Sequence, residues 1–426
     1  MNTSPKTQQE LVIENFAKAK NLGILHVSTE EVSPSGRTVK IDGSEKVNFS
    51  SCSYLGLETD ERLKQGAIEM IERYGVAFSA SRAYISIGPF NEFEDLLHGI
   101  FGYPALAMPS TTMSHLSLLP LLVGKNDAVI LDHQVHSSVQ FSTKIVSADG
   151  AHVEMARHNS IDYLENRIRK LSKQYRKIWY MADGVYSMYG DTAPVKELHR
   201  LMDEHDQFHL YIDDAHGMSW TGENGSGFVL SQAGYHEKMA LVTSLYKGFG
   251  TGGAAIVCRD EKMKDFVKSC GGTFIFSGPM KPAILGAAIA SAKIHLTPEI
   301  HKMQAGVKAR KDYFYKKAMS LNLPVISKGE SPVFYIGVGE TDTAGLICRQ
   351  LFDAGFVSGI AAYPSVPLTN AGIRVMVNNH LDFDDIDNFL ENLERVYFST
   401  LSFSGYGLDK VYRSFRMKKR KQLVEA

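Results

Sequence analysis

Four polar clusters in the chain hold side chains that could do chemistry, and each follows directly on a short apolar run. Asp132-His133-Gln134-Val135-His136 follows one run, Asp183-Gly184-Val185-Tyr186-Ser187 a second, and Asp213-Asp214-Ala215-His216 a third. A fourth leads into Thr243-Ser244-Leu245-Tyr246-Lys247-Gly248-Phe249-Gly250, then Gly252-Gly253. Taken singly they are weak signals. Asp213 with Asp214, or His133 with His136, fits a solvated loop better than a metal-ligand pair, and a lone lysine is usually surface charge. The order of a histidine, an acid and a glycine-flanked lysine at successive strand ends changes the reading, because a pyridoxal phosphate site needs that combination. A lysine condenses with the aldehyde, and glycines let the cofactor approach the backbone. A carboxylate at the pyridine nitrogen keeps the ring an electron sink. Asp213 suits the carboxylate role, and His136 and His216 suit contacts to the ring face and the phenolic oxygen. No metal is called for.

Such clusters work only if strand ends bring them together. Apolar, β-rich runs recur at Ala105–Met108, Ala128–Leu131, His152–Met155, Ile178–Met181, Leu210–Asp213, Leu241–Thr243 and Ala254–Cys258, with helical patterns such as Ile161–Leu171 and Val195–His205 between them. That alternation predicts an α/β fold with a mostly parallel sheet covered on both faces, whose ligand site lies beyond the carboxyl ends of the strands. The stretch from Leu96 to Gly124 has no Asp, Glu, Lys or Arg, but it holds Pro104, Pro109, Pro120 and Ser110-Thr111-Thr112. It reads as a strand, a turn and a buried helix, not a membrane span. A helical pattern over Ile300–Met319 and a second alternating section with Val333–Val338, Ala344–Ala354 and Ile373–Val377 predict a smaller α+β domain. The expected division is an N-terminal arm over 1–50, a large cofactor-binding domain over 51–295 and a small C-terminal domain over 296–426.

The chain also resembles the α-oxoamine synthases, pyridoxal phosphate enzymes of the aspartate aminotransferase fold (PLP fold type I). The resemblance runs from about Phe49 to about His380. It is carried by Ser53-Tyr54-Leu55-Gly56-Leu57, Ser81-Arg82, Gly88-Pro89-Phe90 and, most specifically, Val185-Tyr186-Ser187-Met188-Tyr189-Gly190-Asp191 with Ala193-Pro194. It implies a seven-stranded sheet, a Schiff base at Lys247, Asp213 at the pyridine nitrogen, His216 and Ser187 at the phenolic oxygen, and His136 stacked on the ring. It implies phosphate contacts from Ser110, Thr111, Thr112 and Ser244, and from Ser277 across a homodimer interface. Ser53, Arg82 and Arg374 would meet substrate, with Arg374 gripping its carboxylate through two parallel bonds. The chain departs from the family at four points. It has Ser110-Thr111-Thr112 where Ser-Gly-aromatic is usual, Asn91 for histidine, Met376 for a second arginine and Asp214 for glutamate.

The implied activity is a decarboxylative condensation of an α-amino acid with an acyl-CoA or acyl-carrier thioester, giving an α-amino ketone. The rivals are an aminotransferase built on the same lysine and aspartate, and a non-catalytic binding protein that kept the fold. Composition bounds the rest. In 426 residues, 46 Lys+Arg against 47 Asp+Glu leave a net charge of −1, which gives no field for nucleic acid. The tail Arg416-Met417-Lys418-Lys419-Arg420-Lys421 reads as a solvated cluster. Cys52, Cys258, Cys270 and Cys348 lie far apart, and the first twenty residues lack the apolar core of a signal peptide. A cytoplasmic location is expected, with no integral membrane segment.

Overall fold

The computed structural model describes residues 6–30 and 35–417. Of the basic tail cluster, Lys418 to Lys421 lie outside the described residues. The chain divides into two compact units, one of Ser53–Ser187 and Thr192–Gly306, the other of Met1–Cys52, Met188–Asp191 and Val307–Ala426.

The first unit is built on a seven-stranded sheet in the order Ala105–Met108, Ala254–Val257, Met239–Ser244, Phe208–Asp213, Ile178–Asp183, Ala128–Asp132, His152–Ala156. Neighbours pair in parallel, except that Ala254–Val257 runs antiparallel to both of its neighbours. The alternation of side chains along each strand divides the core in two. Ala128, Ile130, Ile178, Tyr180, Leu210 and Ile212 pack on one face, and Val129, Leu131, Trp179, Met181 and Tyr211 on the other. Both faces are covered, which is why these strands read as unbroken apolar runs. On the first face the helices Glu61–Tyr74 and Pro282–His295 approach closely. A Cβ on Gly66 would stand 2.6 Å from the Gly286 carbonyl oxygen, and one on Gly286 would stand 2.0 Å from that of Gly66. The charge-free stretch from Leu96 opens as the last turns of the helix Pro89–Phe101, because its apolar face packs in the core. Only then come the strand Ala105–Met108 and the helix Thr111–Leu122.

The second unit has a three-stranded sheet in which Ala371–Met376 lies between Val333–Gly339 and Gly359–Ala361, all antiparallel. The helices Thr341–Asp353 and Phe383–Ser404 supply its core. The N-terminal segment is not a separate arm. Its hairpin, Thr38–Ile41 with Ser44–Asn48, adds Phe356–Val357 in parallel. Phe49 stacks on Phe389 at 4.2 Å, and Arg37 makes two bonds of 2.8 Å to Asp385. Ion pairing and aromatic burial thus tie residues far apart in sequence. The expected edge near Ile294–Thr297 moves as well, since the helix Glu299–Ser320 runs unbroken and the first unit extends to Gly306.

Candidate active site

A cavity beyond the carboxyl ends of the central strands is lined by Thr111, His136, Asp183, Val185, Asp213, Ala215, His216 and Lys247. Asp213 ends its strand in register with Asp183 on the neighbouring strand. Its carboxylate is 4% exposed. Oδ1 accepts the Ala215 N–H at 2.9 Å, and Oδ2 lies 3.0 Å from His115 Nε2. Burial works against its charge, but the His115 bond and the positive charge that His115 and Lys247 carry when protonated outweigh it, leaving the carboxyl below the usual range. Asp183 goes the other way. Burial and the charge of Asp213 push its carboxyl well above the usual range, although it accepts the His136 backbone N–H at 3.1 Å. The two carboxyls titrate as a pair, with the charge on Asp213.

His136 caps the helix Ser137–Ala148. Its Nδ1 accepts the Ser138 N–H at 3.3 Å and lies 2.6 Å from the Ser138 hydroxyl. A ring nitrogen that accepts from an amide carries no proton, so the proton of the neutral ring sits on Nε2. Burial favours that neutral form by lowering the imidazole's proton affinity. His216, 7% exposed, meets the Tyr54 hydroxyl at 2.7 Å through Nδ1. Lys247 sits in a tight loop closed by Gly250 N–H to Lys247 O at 2.9 Å and by Leu245 N–H to Gly253 O at 3.0 Å. Gly250 has a φ of 79°, and a Cβ there would stand 2.6 Å from Leu57 Cβ. The flanking glycines are therefore required by the loop itself.

Thr111 and Thr112 begin the helix Thr111–Leu122, and the Ser110 side chain caps it by accepting the Met113 N–H at 3.2 Å. The loss of the family's glycine is absorbed, because position 111 takes ordinary helical geometry. First-turn N–H groups have no acceptor within the helix, and together with the positive end of the helix dipole they favour an anion beside Thr111. A lysine amine, a buried carboxylate, a neutral imidazole and a helix N-terminus on one cavity are the donor set that an aldehyde-bearing pyridine phosphate requires.

The other expected residues are not among those that line this cavity. Ser244 is buried at the end of its strand, with Oγ accepting the Tyr246 N–H at 3.2 Å. Ser187 follows the cavity residue Val185 by two positions, in a loop closed by a bridge between Val185 and Thr192. The Ser53 hydroxyl bonds Glu58. Arg82 does not line the cavity. Its guanidinium bonds Glu94 at 2.7 Å and the Ala107 carbonyl at 3.3 Å, and lies 4.0 Å from the Phe90 ring centroid. Glu94 also meets Lys264 at 3.1 Å, so Arg82 belongs to a buried charge cluster. Ser277 lies beside Phe276, which is 86% exposed. Arg374 belongs to the other unit, opposite Tyr335 and Gly359, with Nη2 3.9 Å from Cys52 Sγ. Asp214, buried beside Asp213, accepts the Val229 N–H at 3.0 Å. His115 and Asp183 had no role assigned from sequence. The available signal was helical spacing: His115 stands four residues after Thr111 and so on the same helix face.

Residues 44–393 match the profile of the family described as aminotransferase class I and II. The 8-amino-7-oxononanoate synthase of Thermoanaerobacter pseudethanolicus is 30% identical over 393 residues, which are 91% of this chain and 96% of that protein. That of Symbiobacterium thermophilum is also 30% identical over 393 residues, covering 91% and 97%. Among solved structures, serine palmitoyltransferase from S. paucimobilis with a bound PLP-myriocin aldimine superposes with a TM-score of 0.84 at 22% identity, covering 93% of this chain and 99% of that one. An 8-amino-7-oxononanoate synthase from Francisella tularensis gives 0.71 at 22% identity, covering 82% and 97%. These structural likenesses show the fold.

Proposed function

Because the chain belongs to the aminotransferase class I and II family, on its α-oxoamine synthase branch, we propose that it is a pyridoxal phosphate-dependent C-acyltransferase. It joins an α-amino acid to an acyl thioester. A bond forms between the amino acid's Cα and the acyl carbon, the C–S bond breaks to release thiol, and the carboxyl group leaves as CO₂. The observation that carries this reading is the convergence of Lys247, Asp213, His136, His216 and Thr111 on one cavity. Relatives named 8-amino-7-oxononanoate synthase support it.

When bound, pyridoxal 5'-phosphate supplies an aldehyde that condenses with amines and a protonated ring that draws electrons from the carbon beside nitrogen. Lys247 Nζ is the point of covalent attachment, and once displaced by the amino acid it takes the proton from Cα. Taking that proton needs the neutral amine, and after CO₂ leaves the ammonium so formed returns a proton to the same carbon. Asp213 holds the ring nitrogen protonated. His136 presents a neutral ring to hold the cofactor's plane, and His216, steadied by Tyr54, contacts the phenolic oxygen together with Ser187. The helix start at Ser110, Thr111 and Thr112, with Ser244, receives the phosphate. Arg374 takes the substrate carboxylate.

The working form is a homodimer in the cytoplasm, with Ser277 reaching the partner's phosphate. Exposed Val76, Phe78, Tyr84, Ile85 and Phe276 support a second copy, since apolar surface of this kind marks a protein interface. The four cysteines are all free, as a reducing compartment leaves them. Among the described residues no helix is long and apolar enough to cross a membrane.

A panel of amino acids against acyl-CoA thioesters, followed by thiol and CO₂ release, tests the reaction. Equal amounts of thiol and CO₂ are expected. A keto acid formed without thiol would instead make the chain an aminotransferase.

A further inference from the structure

Beneath the cavity lies a buried hydrogen-bond chain outside the steps just described. His115, 0% exposed, lies on the Thr111–Leu122 helix one turn below Thr111. Its Nε2 is 3.0 Å from Asp213 Oδ2, and its Nδ1 is 2.7 Å from the hydroxyl of Tyr211, which is also 0% exposed. Tyr211 and Asp213 stand two residues apart on one strand and so project to the same face. The helix and the strand therefore converge on one imidazole whose two nitrogens are both engaged.

We propose that His115, held by Tyr211, is a positioning residue that keeps Asp213 rather than Asp183 as the charged carboxyl of the site, and thereby sets how tightly the cofactor is held and how far its ring stays protonated. The inference rests on the cofactor reading above. Asp213 and Asp183 end adjacent strands in register, so two carboxyls compete for one buried negative charge. Only Asp213 receives a ring N–H; Asp183 receives a backbone N–H from His136. Hydrogen bonds to a charged group are about twice as strong as neutral ones in so dry a place. The hydroxyl of Tyr211 can donate to or accept from Nδ1, so Nε2–H stays on Asp213 whether or not the imidazole is charged. Burial and the charge of Asp213 raise the phenol's affinity for its proton, which keeps Tyr211 a hydroxyl. The other titratable groups facing Asp213 are Lys247 and His136, which favour its charge in their protonated forms, and Asp214, whose carboxyl is kept protonated by burial and by the charge of Asp213.

The test compares His115→Leu, His115→Gln and Tyr211→Phe with the wild-type holoenzyme. One readout is the pH midpoint of the visible absorbance of the lysine-linked cofactor, and the other is the dissociation constant of pyridoxal phosphate from refolded apoprotein, with circular dichroism confirming the fold. Without its donor, Asp213 becomes more basic and draws the proton off the ring nitrogen. The ring then withdraws less, and the nitrogen joining Lys247 to the cofactor becomes more basic. His115→Leu is expected to raise the midpoint by about one unit, a tenfold change in proton affinity, and to weaken cofactor binding about tenfold. His115→Gln, which keeps an amide N–H toward Asp213, should recover most of both, and Tyr211→Phe should show a smaller shift in the same direction. Should His115→Leu not fold, the Tyr211→Phe shift decides alone. Midpoints unchanged in folded variants of a coloured wild type would overturn this proposal only, whereas a wild type that takes up no cofactor would overturn the cofactor reading with it.

Discussion

Asp213→Asn keeps the size of the central acid and removes only its charge. The native carboxylate accepts from Ala215 at 2.9 Å and from His115 at 3.0 Å. An asparagine carbonyl can keep the first bond and turn its NH₂ toward His115. The imidazole can then carry its proton on Nδ1, donate to the Tyr211 hydroxyl and accept at Nε2, so the local fold survives. What is lost is the partner of a cationic ring nitrogen at a carboxylate that is only 4% exposed. Removing one member of a buried ion pair costs about 3–5 kcal/mol. At about 1.4 kcal/mol per factor of ten, that is roughly 10²- to 10⁴-fold in cofactor affinity. Equilibrium dialysis of apoprotein against pyridoxal phosphate measures it directly. Affinity within threefold of wild type, with an unchanged melting temperature, would refute the reasoning.

Three further outcomes are expected. Arg82→Met should destabilise the fold by about 2–4 kcal/mol in denaturant titration, because the buried Glu94 loses its guanidinium and keeps two lysines and the Ala107 N–H. Its Michaelis constants should not change, and a rise in one would return Arg82 to the substrate site. Arg374→Lys loses the two-bond grip on a carboxylate, so the Michaelis constant for the amino acid should rise roughly tenfold or more while kcat changes little. Steady-state kinetics separate the two parameters. The Asp214 carboxyl is pushed up to about 8 by burial, from an ordinary 3.8. The folded chain therefore binds the extra proton between these values, and stability falls as pH rises through that window. Asp214→Asn should flatten this decline by a few kcal/mol in melting curves from pH 5 to 9, leaving a residual slope from Asp183, and an identical slope would count against the buried neutral acid.

The sheet was legible because strands buried on both faces leave unbroken apolar runs. All seven runs read from sequence, from Ala105–Met108 to Ala254–Cys258, are strands of one sheet. Polar residues at their carboxyl ends follow from the topology, so Lys247, Asp213, His136 and His216 could be grouped before any coordinates. The long-range pairings were not legible. Nothing local announces that Phe49 stacks on Phe389, or that Arg82 bonds a buried Glu94. His115 was hidden in an apolar helix, where a histidine reads as a satisfied core residue until Tyr211 and Asp213 are seen on its two nitrogens.

Borohydride reduction of the coloured protein, followed by peptide mapping, tests the central claim most directly. The account predicts a reduced pyridoxyl phosphate adduct on Lys247, absent from Lys247→Ala together with the visible absorbance. An adduct on another lysine, or none in protein incubated with the aldehyde, would contradict it.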